Sequence, residues 1–274
     1  MGVGGQTTRR VVLGGLGAAA ITGLGSRRSA CAQGADSENL AQEFQRRGVT
    51  GTFVHLDTAT DRTLYVDEKR AARRFAPAST FDIANALIAL ETGVISSLQE
   101  VIHGPDASRG ATGRAHDLSV DAALGGSAVS VFQEIARRVG IARYEDWLEK
   151  LGYGNAAVGR DVETFWLDGP LAISAYEQAG LMAALAREEV ENVSIGAQRA
   201  VKDALRVETQ GQRALYAKTG WCRSSVPQIG WWVGWVEHGA RVDSFALNID
   251  VNRETDFPLI TEIGRAILVR LALY

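Results

Sequence analysis

Pro77-Ala78-Ser79-Thr80-Phe81-Asp82-Ile83-Ala84-Asn85-Ala86-Leu87-Ile88-Ala89-Leu90 opens on a proline and two small hydroxyl residues, then runs apolar. Phe81, Ala84, Leu87, Ile88 and Leu90 recur at helical spacing, which predicts a buried or half-buried helix with Ser79 and Thr80 at its mouth. A serine there has two readings. It caps the helix, the commoner use of the residue type, or it is a nucleophile placed where backbone N–H groups and the helix dipole favour developing negative charge.

Outward from this stretch, the chain alternates between two periods. On the N-terminal side, residues 38–48 read as a short helix, followed by a hairpin of Thr50–Asp57 and Thr63–Val66 around the turn-like Thr58-Ala59-Thr60-Asp61-Arg62. From about Ser96 to Leu205 the pattern is helical. Segments run from Ser127 to Ala136, from Tyr144 to Leu151 with Gly152 beyond the last turn, from Ser174 with Glu177 completing a capping box, and from Gln198 to Leu205. The period then returns to two in Ala214–Lys218 and in the pair Ile229–Val236 and Ala240–Ile249 about His238-Gly239, and Ile260–Leu273 closes as an amphipathic helix. Strands at both ends with helices between them predict an α/β fold. Its antiparallel sheet is built from residues 33–95 and 206–274 and flanked by helices, with an all-helical region inserted over 96–205.

Composition sets further bounds. The 274 residues are 46% hydrophobic and 22% charged with a net charge of −3, which suits one globular unit and gives no reason to expect nucleic acid or an anionic membrane as partner. Residues 1–32 read as an export signal: Arg9-Arg10 precede a Gly/Ala-rich apolar run, and Ala30-Cys31-Ala32 offers small residues for cleavage, in a pattern similar to a twin-arginine signal. An ordinary secretory signal is the other reading. The predicted location is periplasmic or secreted, with no integral membrane segment after signal removal. Cleavage after Ala32 leaves Cys222 alone, read as an inert buried thiol. His55, His103, His116 and His238 lack metal-ligand spacing, so no metal site is expected.

Further segments stand in order along the chain: Ser127-Ala128-Val129, Tyr153-Gly154-Asn155, Phe165-Trp166-Leu167-Asp168-Gly169 and Lys218-Thr219-Gly220. Each is weak alone. Together with Ser79-Thr80-Phe81, in this order and with flanking similarity over about residues 38–260, they resemble class D (oxacillinase-type) serine β-lactamases, of serine β-lactamase/transpeptidase fold. The resemblance implies a small-molecule β-lactam substrate and a Ser79 acyl-enzyme. It gives Ser127 and Lys218 the proton transfer to the leaving nitrogen, and Lys218, Thr219 and Gly220 the substrate side of the cleft. The N–H groups of Ser79 and Trp221 would form the oxyanion hole. Val129, Trp166 and Leu167 would surround the general base.

Two positions depart from the family pattern. Its general base is a lysine carbamylated by CO₂, and Asp82 stands there instead, with no amine to carbamylate; no other cofactor is implied. Asp82 is several bonds shorter, and a base must lie within roughly 2.6–3.2 Å of the proton it takes. In an apolar slot its carboxyl is expected to hold its proton above the usual range, unless a cation such as Lys218 pairs with it. The family's carboxylate-binding arginine corresponds to Ile260; Arg253 and Arg265 lie nearby but out of register. The reading is therefore a β-lactamase impaired in deacylation. A β-lactam trap or sensor that acylates once, and a cell-wall D-Ala-D-Ala peptidase, remain alternatives.

Overall fold

The computed structural model describes residues 37–103 and 117–274; residues 1–32, where an export signal is expected, lie outside them. Helix α1 (37–45) leads into strands β1 (Gly51–Asp57) and β2 (Arg62–Val66), the short helix α2 (Glu68–Ala72), a 3-10 turn (Ala78–Phe81) and helix α3 (Asp82–Glu91). Strands β3 (Val101–Ile102) and β4 (Leu118–Ser119) pair on their own, and helices α4 (Val120–Gly126), α5 (Val129–Val139), α6 (Ile141–Lys150), α7 (Ala175–Ala186) and α8 (Ile195–Ala204) follow. Strands β5 (Arg206–Gln210), β6 (Arg213–Cys222), β7 (Gln228–His238) and β8 (Arg241–Val251) then precede α9 (Leu259–Arg270).

The main sheet has six strands in the order β2-β1-β8-β7-β6-β5, paired antiparallel throughout. Strand β1 docks on β8 with Phe53 opposite Leu247, so the two chain ends meet at the sheet centre, as the periodicity implies. Both faces of that centre are covered, and alternate residues divide between two cores. Trp232, Val236, Phe245, Leu247 and Ile249 pack with Leu40, Phe44 and α9 on one side. Trp231, Val233, Trp235 and Ala246 pack toward α3 and α7 on the other.

The boundaries differ from the sequence reading where backbone conformation intervenes. The helix expected from Ser127 begins at Val129, because Ser127 adopts a left-handed conformation (φ 54°) that ends α4 and turns the chain into α5. Strand β5 and the β3–β4 pair lie outside the sequence expectation; both are short, and β5 is largely exposed, so neither carries an apolar pattern. The Ser174 box forms as expected, its hydroxyl accepting from the Glu177 N–H and the Glu177 carboxylate accepting from Ser174. Gly152 takes φ +59° just past α6, the left-handed position that closes a helix.

Candidate active site

Ser79 lies in the 3-10 turn one step before α3, half-buried, and its carbonyl accepts from the N–H of Asp82. The residue before it, Ala78, is held at φ 47°. That conformation costs a residue with a Cβ about 1–2 kcal/mol. It is fixed from both sides: the Ala78 N–H donates to the Trp166 carbonyl at 2.9 Å, and the Trp231 indole N–H donates to the Ala76 carbonyl at 3.0 Å. Ser127, across the cleft, is also left-handed. Strain of this kind gathers at functional sites because the surroundings must over-determine it.

Strand β6 brings the second set of groups. A Cβ at Gly220 would stand 2.9 Å from the Pro77 carbonyl and 3.0 Å from the Thr80 nitrogen. Only glycine lets the strand lie this close to the turn that carries Ser79. Two residues earlier, Lys218 extends from the same strand and is 5% exposed. Its ammonium donates to Ser127 Oγ in a very short hydrogen bond and to the Thr219 carbonyl at 3.2 Å. It also lies 3.3 Å from Asp82 Oδ2. Ser127, Lys218 and Asp82 therefore form one contiguous cluster.

Asp82 is 2% exposed on a helix whose residues 82–89 are all buried. Charge and hydrogen bonding from Lys218, 3.3 Å from its Oδ2, both favour its ionised form. Burial outweighs that neighbour and pushes the carboxyl up to about 7. Burial likewise pulls the Lys218 ammonium below the usual lysine range, against the opposing pull of Asp82. Both branches of the sequence expectation thus hold together: the pair forms, and the carboxyl still keeps its proton well above the usual range.

Trp166 is buried, with its ring 5.6 Å from that of Phe81. Leu167 is half-buried, and its carbonyl accepts from Ser224 Oγ at 3.1 Å. Val129 is 37% exposed at the start of α5. Trp221 lies opposite Gly230 in the sheet; its ring stacks on Phe257 at 4.5 Å and carries the Arg223 guanidinium on the ring at 3.7 Å. The thiol of Cys222 is buried and faces the Leu167 carbonyl at 3.4 Å.

The Tyr153-Gly154-Asn155 segment does structural work. Gly154 sits at φ +55° with the Ala172 carbonyl 2.1 Å from where a Cβ would lie. Asn155 ties the loop bearing Trp166 by donating to the Pro170 carbonyl and accepting from the Ala172 N–H. Tyr153 packs edge-on against Phe81 at 5.4 Å. Behind the nucleophile turn lies a buried polar set that sequence reasoning missed. Gln178 Nε2 donates to Thr80 Oγ1 at 2.6 Å, Thr80 Oγ1 donates to the Pro77 carbonyl at 2.7 Å, and the Tyr144 hydroxyl donates to Asn85 Oδ1 at 2.6 Å. The available signal was a glutamine and an asparagine inside the apolar runs of α7 and α3.

The structure thus brings near one another a nucleophile candidate at a helix mouth, a buried lysine hydrogen-bonded to a second serine, and a glycine of the lysine's strand set against the nucleophile turn. A family model of the penicillin-binding protein transpeptidase domain matches residues 36–268. Beta-lactamase OXA-5 of Pseudomonas aeruginosa is 38% identical over 237 residues, 85% of this chain and 88% of its own. Beta-lactamase OXA-48 of Klebsiella pneumoniae is 39% identical over 200 residues, 73% of this chain and 75% of its own. Among solved structures, the class D beta-lactamase FUS-1 (OXA-85) from Fusobacterium nucleatum subsp. polymorphum superposes with a TM-score of 0.82 at 35% identity, covering 86% of this chain and 98% of that one. The chain belongs to the penicillin-binding protein transpeptidase family, among its class D β-lactamases.

Proposed function

We propose that the chain is a serine β-lactamase that acylates through Ser79 and is slow to release the acyl group. In this reading Ser79 Oγ attacks the lactam carbonyl carbon, the C–N bond of the ring breaks, and the hydroxyl proton of Ser79 ends on the ring nitrogen, carried by Lys218 and Ser127. The N–H groups of Ser79 and Trp221 receive the developing oxyanion. The observation that carries the reading is the Lys218 contact with Ser127 Oγ beside the strand edge that Gly220 presses against the Ser79 turn.

Release requires a base beside the ester to activate water. Asp82 occupies the base position but is engaged by Lys218 and keeps its proton to about pH 7. It has no amine with which to take up CO₂, so the family's carbamate base does not form here. This reading therefore combines acylation of Ser79 with slow hydrolysis of the ester, which separates it from efficient turnover. The substrate is a β-lactam, and the place of action is the cell envelope or the exterior, as export of residues 1–32 implies.

Intact-mass spectrometry tests the reading. Wild-type protein incubated with benzylpenicillin should gain one penicilloyl mass that decays slowly, and Ser79→Ala should gain none. An equal adduct on the alanine variant would move the nucleophile elsewhere.

A further inference from the structure

Resting on that reading, we infer that Gln178 is a positioning residue for Ser79. Through the Thr80 hydroxyl and the Pro77 carbonyl, it orients the peptide that offers the oxyanion the Ser79 N–H.

The approach to Ser79 is tied at three points to the segment 166–178. The Phe75 and Ile173 backbones pair in both directions, at 3.0 and 2.9 Å, and the Ala78 N–H donates to the Trp166 carbonyl at 2.9 Å. The third tie is made by side chains. Gln178 on α7 is fully buried, and its Nε2 donates to Thr80 Oγ1 at 2.6 Å. The Thr80 hydroxyl donates to the Pro77 carbonyl at 2.7 Å, and the Thr80 N–H donates to the same carbonyl at 3.2 Å.

A threonine hydroxyl has one proton. With Gln178 donating to its oxygen, that proton is left for Pro77, so the amide sets the direction of the chain. The Pro77–Ala78 peptide is thereby held at both ends, its carbonyl by Thr80 and its N–H by the Trp166 carbonyl. The next peptide carries the Ser79 N–H. Ala78, between the two, sits at φ 47°, a conformation that persists only where its surroundings over-determine it. The other side of Thr80 is engaged as well: its Cγ2 lies 3.0 Å from where a Cβ on Gly220 would stand. Thr80 is thus set between β6 and α7, with its methyl group to the strand and its hydroxyl to Gln178.

Stability does not explain an amide at this place. Gln178 Oε1 is buried with no hydrogen-bond partner among the described residues, and a buried polar atom left unpaired is destabilising. An apolar side chain of the same length would avoid that cost and lose only the bond to Thr80.

The test follows Ser79 adduct formation by intact mass over a range of benzylpenicillin concentrations, which separates the limiting acylation rate from the half-saturating concentration. Gln178→Met keeps the length of the side chain and removes the amide. Its limiting rate should fall at least about tenfold, part of the roughly 10²–10³ that loss of an oxyanion donor costs. The half-saturating concentration should stay within about twofold, as for a group that acts only in the transition state, and the urea midpoint should not fall. Thr80→Val should lose as much rate, and Thr80→Ser should regain most of it. Gln178→Met combined with Thr80→Val should be no slower than Thr80→Val alone, because the two act through one chain. The rate constant belongs to the molecules that react, so a partly unfolded preparation changes the amplitude and not the rate. An unchanged limiting rate in Gln178→Met, or losses that multiply in the double variant, would overturn the assignment. No adduct on the wild type would instead sink the acyl-enzyme reading, and this role with it.

Discussion

Replacing Asp82 by asparagine keeps the size of the side chain and removes its titration, so the pair of proteins isolates what the buried carboxyl does to the fold. In the unfolded chain the carboxyl ionises near its ordinary value of 3.8; in the fold, burial holds the proton to about 7. Over that window the folded wild type carries one proton more than the unfolded chain, and its stability falls as pH rises. The contribution is fully present below pH 4 and lost through pH 7. About three pH units at about 1.4 kcal/mol each give roughly 4 kcal/mol. At pH 4 the protonated Asp82 carboxyl and the amide that replaces it differ little, and both leave Lys218 the same neutral neighbour. Between pH 4 and 7 the Asp82→Asn variant should gain steadily on wild type, and above pH 7 the gap should level off. Urea midpoints at pH 4, 5.5, 7 and 8, with equal slopes in both proteins, give the comparison directly. A gap that stays constant with pH, or a wild type that gains on the variant as pH rises, would mean that Asp82 is ionised throughout and that the Lys218 charge outweighs burial.

Two other substitutions probe the scaffold of the site. Gly220→Ala inserts a methyl group 2.9 Å from the Pro77 carbonyl. Overpacking of this kind costs about 1–3 kcal/mol, and the displaced strand should slow Ser79 acylation at least about tenfold; unchanged acylation kinetics would show that β6 need not lie against the turn. Tyr144→Phe strands Asn85 Oδ1, which accepts its hydroxyl at 2.6 Å inside the core, and should cost about 1–3 kcal/mol in a urea titration with acylation unaffected. A midpoint equal to wild type would mean that Asn85 finds another donor.

The fold was legible where one residue type or one period decides an element. The alternation in Phe245-Ala246-Leu247 sends alternate side chains to two cores. The Ser174–Glu177 pair starts α7 where a capping box should. The members of the site were legible as motifs in order, but their geometry was not. Ser127 reads as the start of an apolar helical run, whereas its left-handed backbone is what turns its hydroxyl group onto Lys218. The bond between Thr80 and Gln178 spans 98 residues of sequence, so no local pattern signals it.

The central claim is that one residue separates this site from sustained turnover: Asp82 leaves the acyl-enzyme without a base. Asp82→Lys tests it most directly. The new amine would lie on buried α3 near Trp166 and Leu167, where burial favours its neutral form and so its reaction with CO₂. Hydrolysis of benzylpenicillin, followed spectroscopically with and without added bicarbonate, should rise by about 10²–10⁴-fold over wild type, the usual worth of a general base. It should rise further with bicarbonate, while the wild type shows a slow, bicarbonate-independent rate after a single acylation burst. Rapid steady turnover by the wild type, with no burst and no gain in Asp82→Lys, would contradict the account.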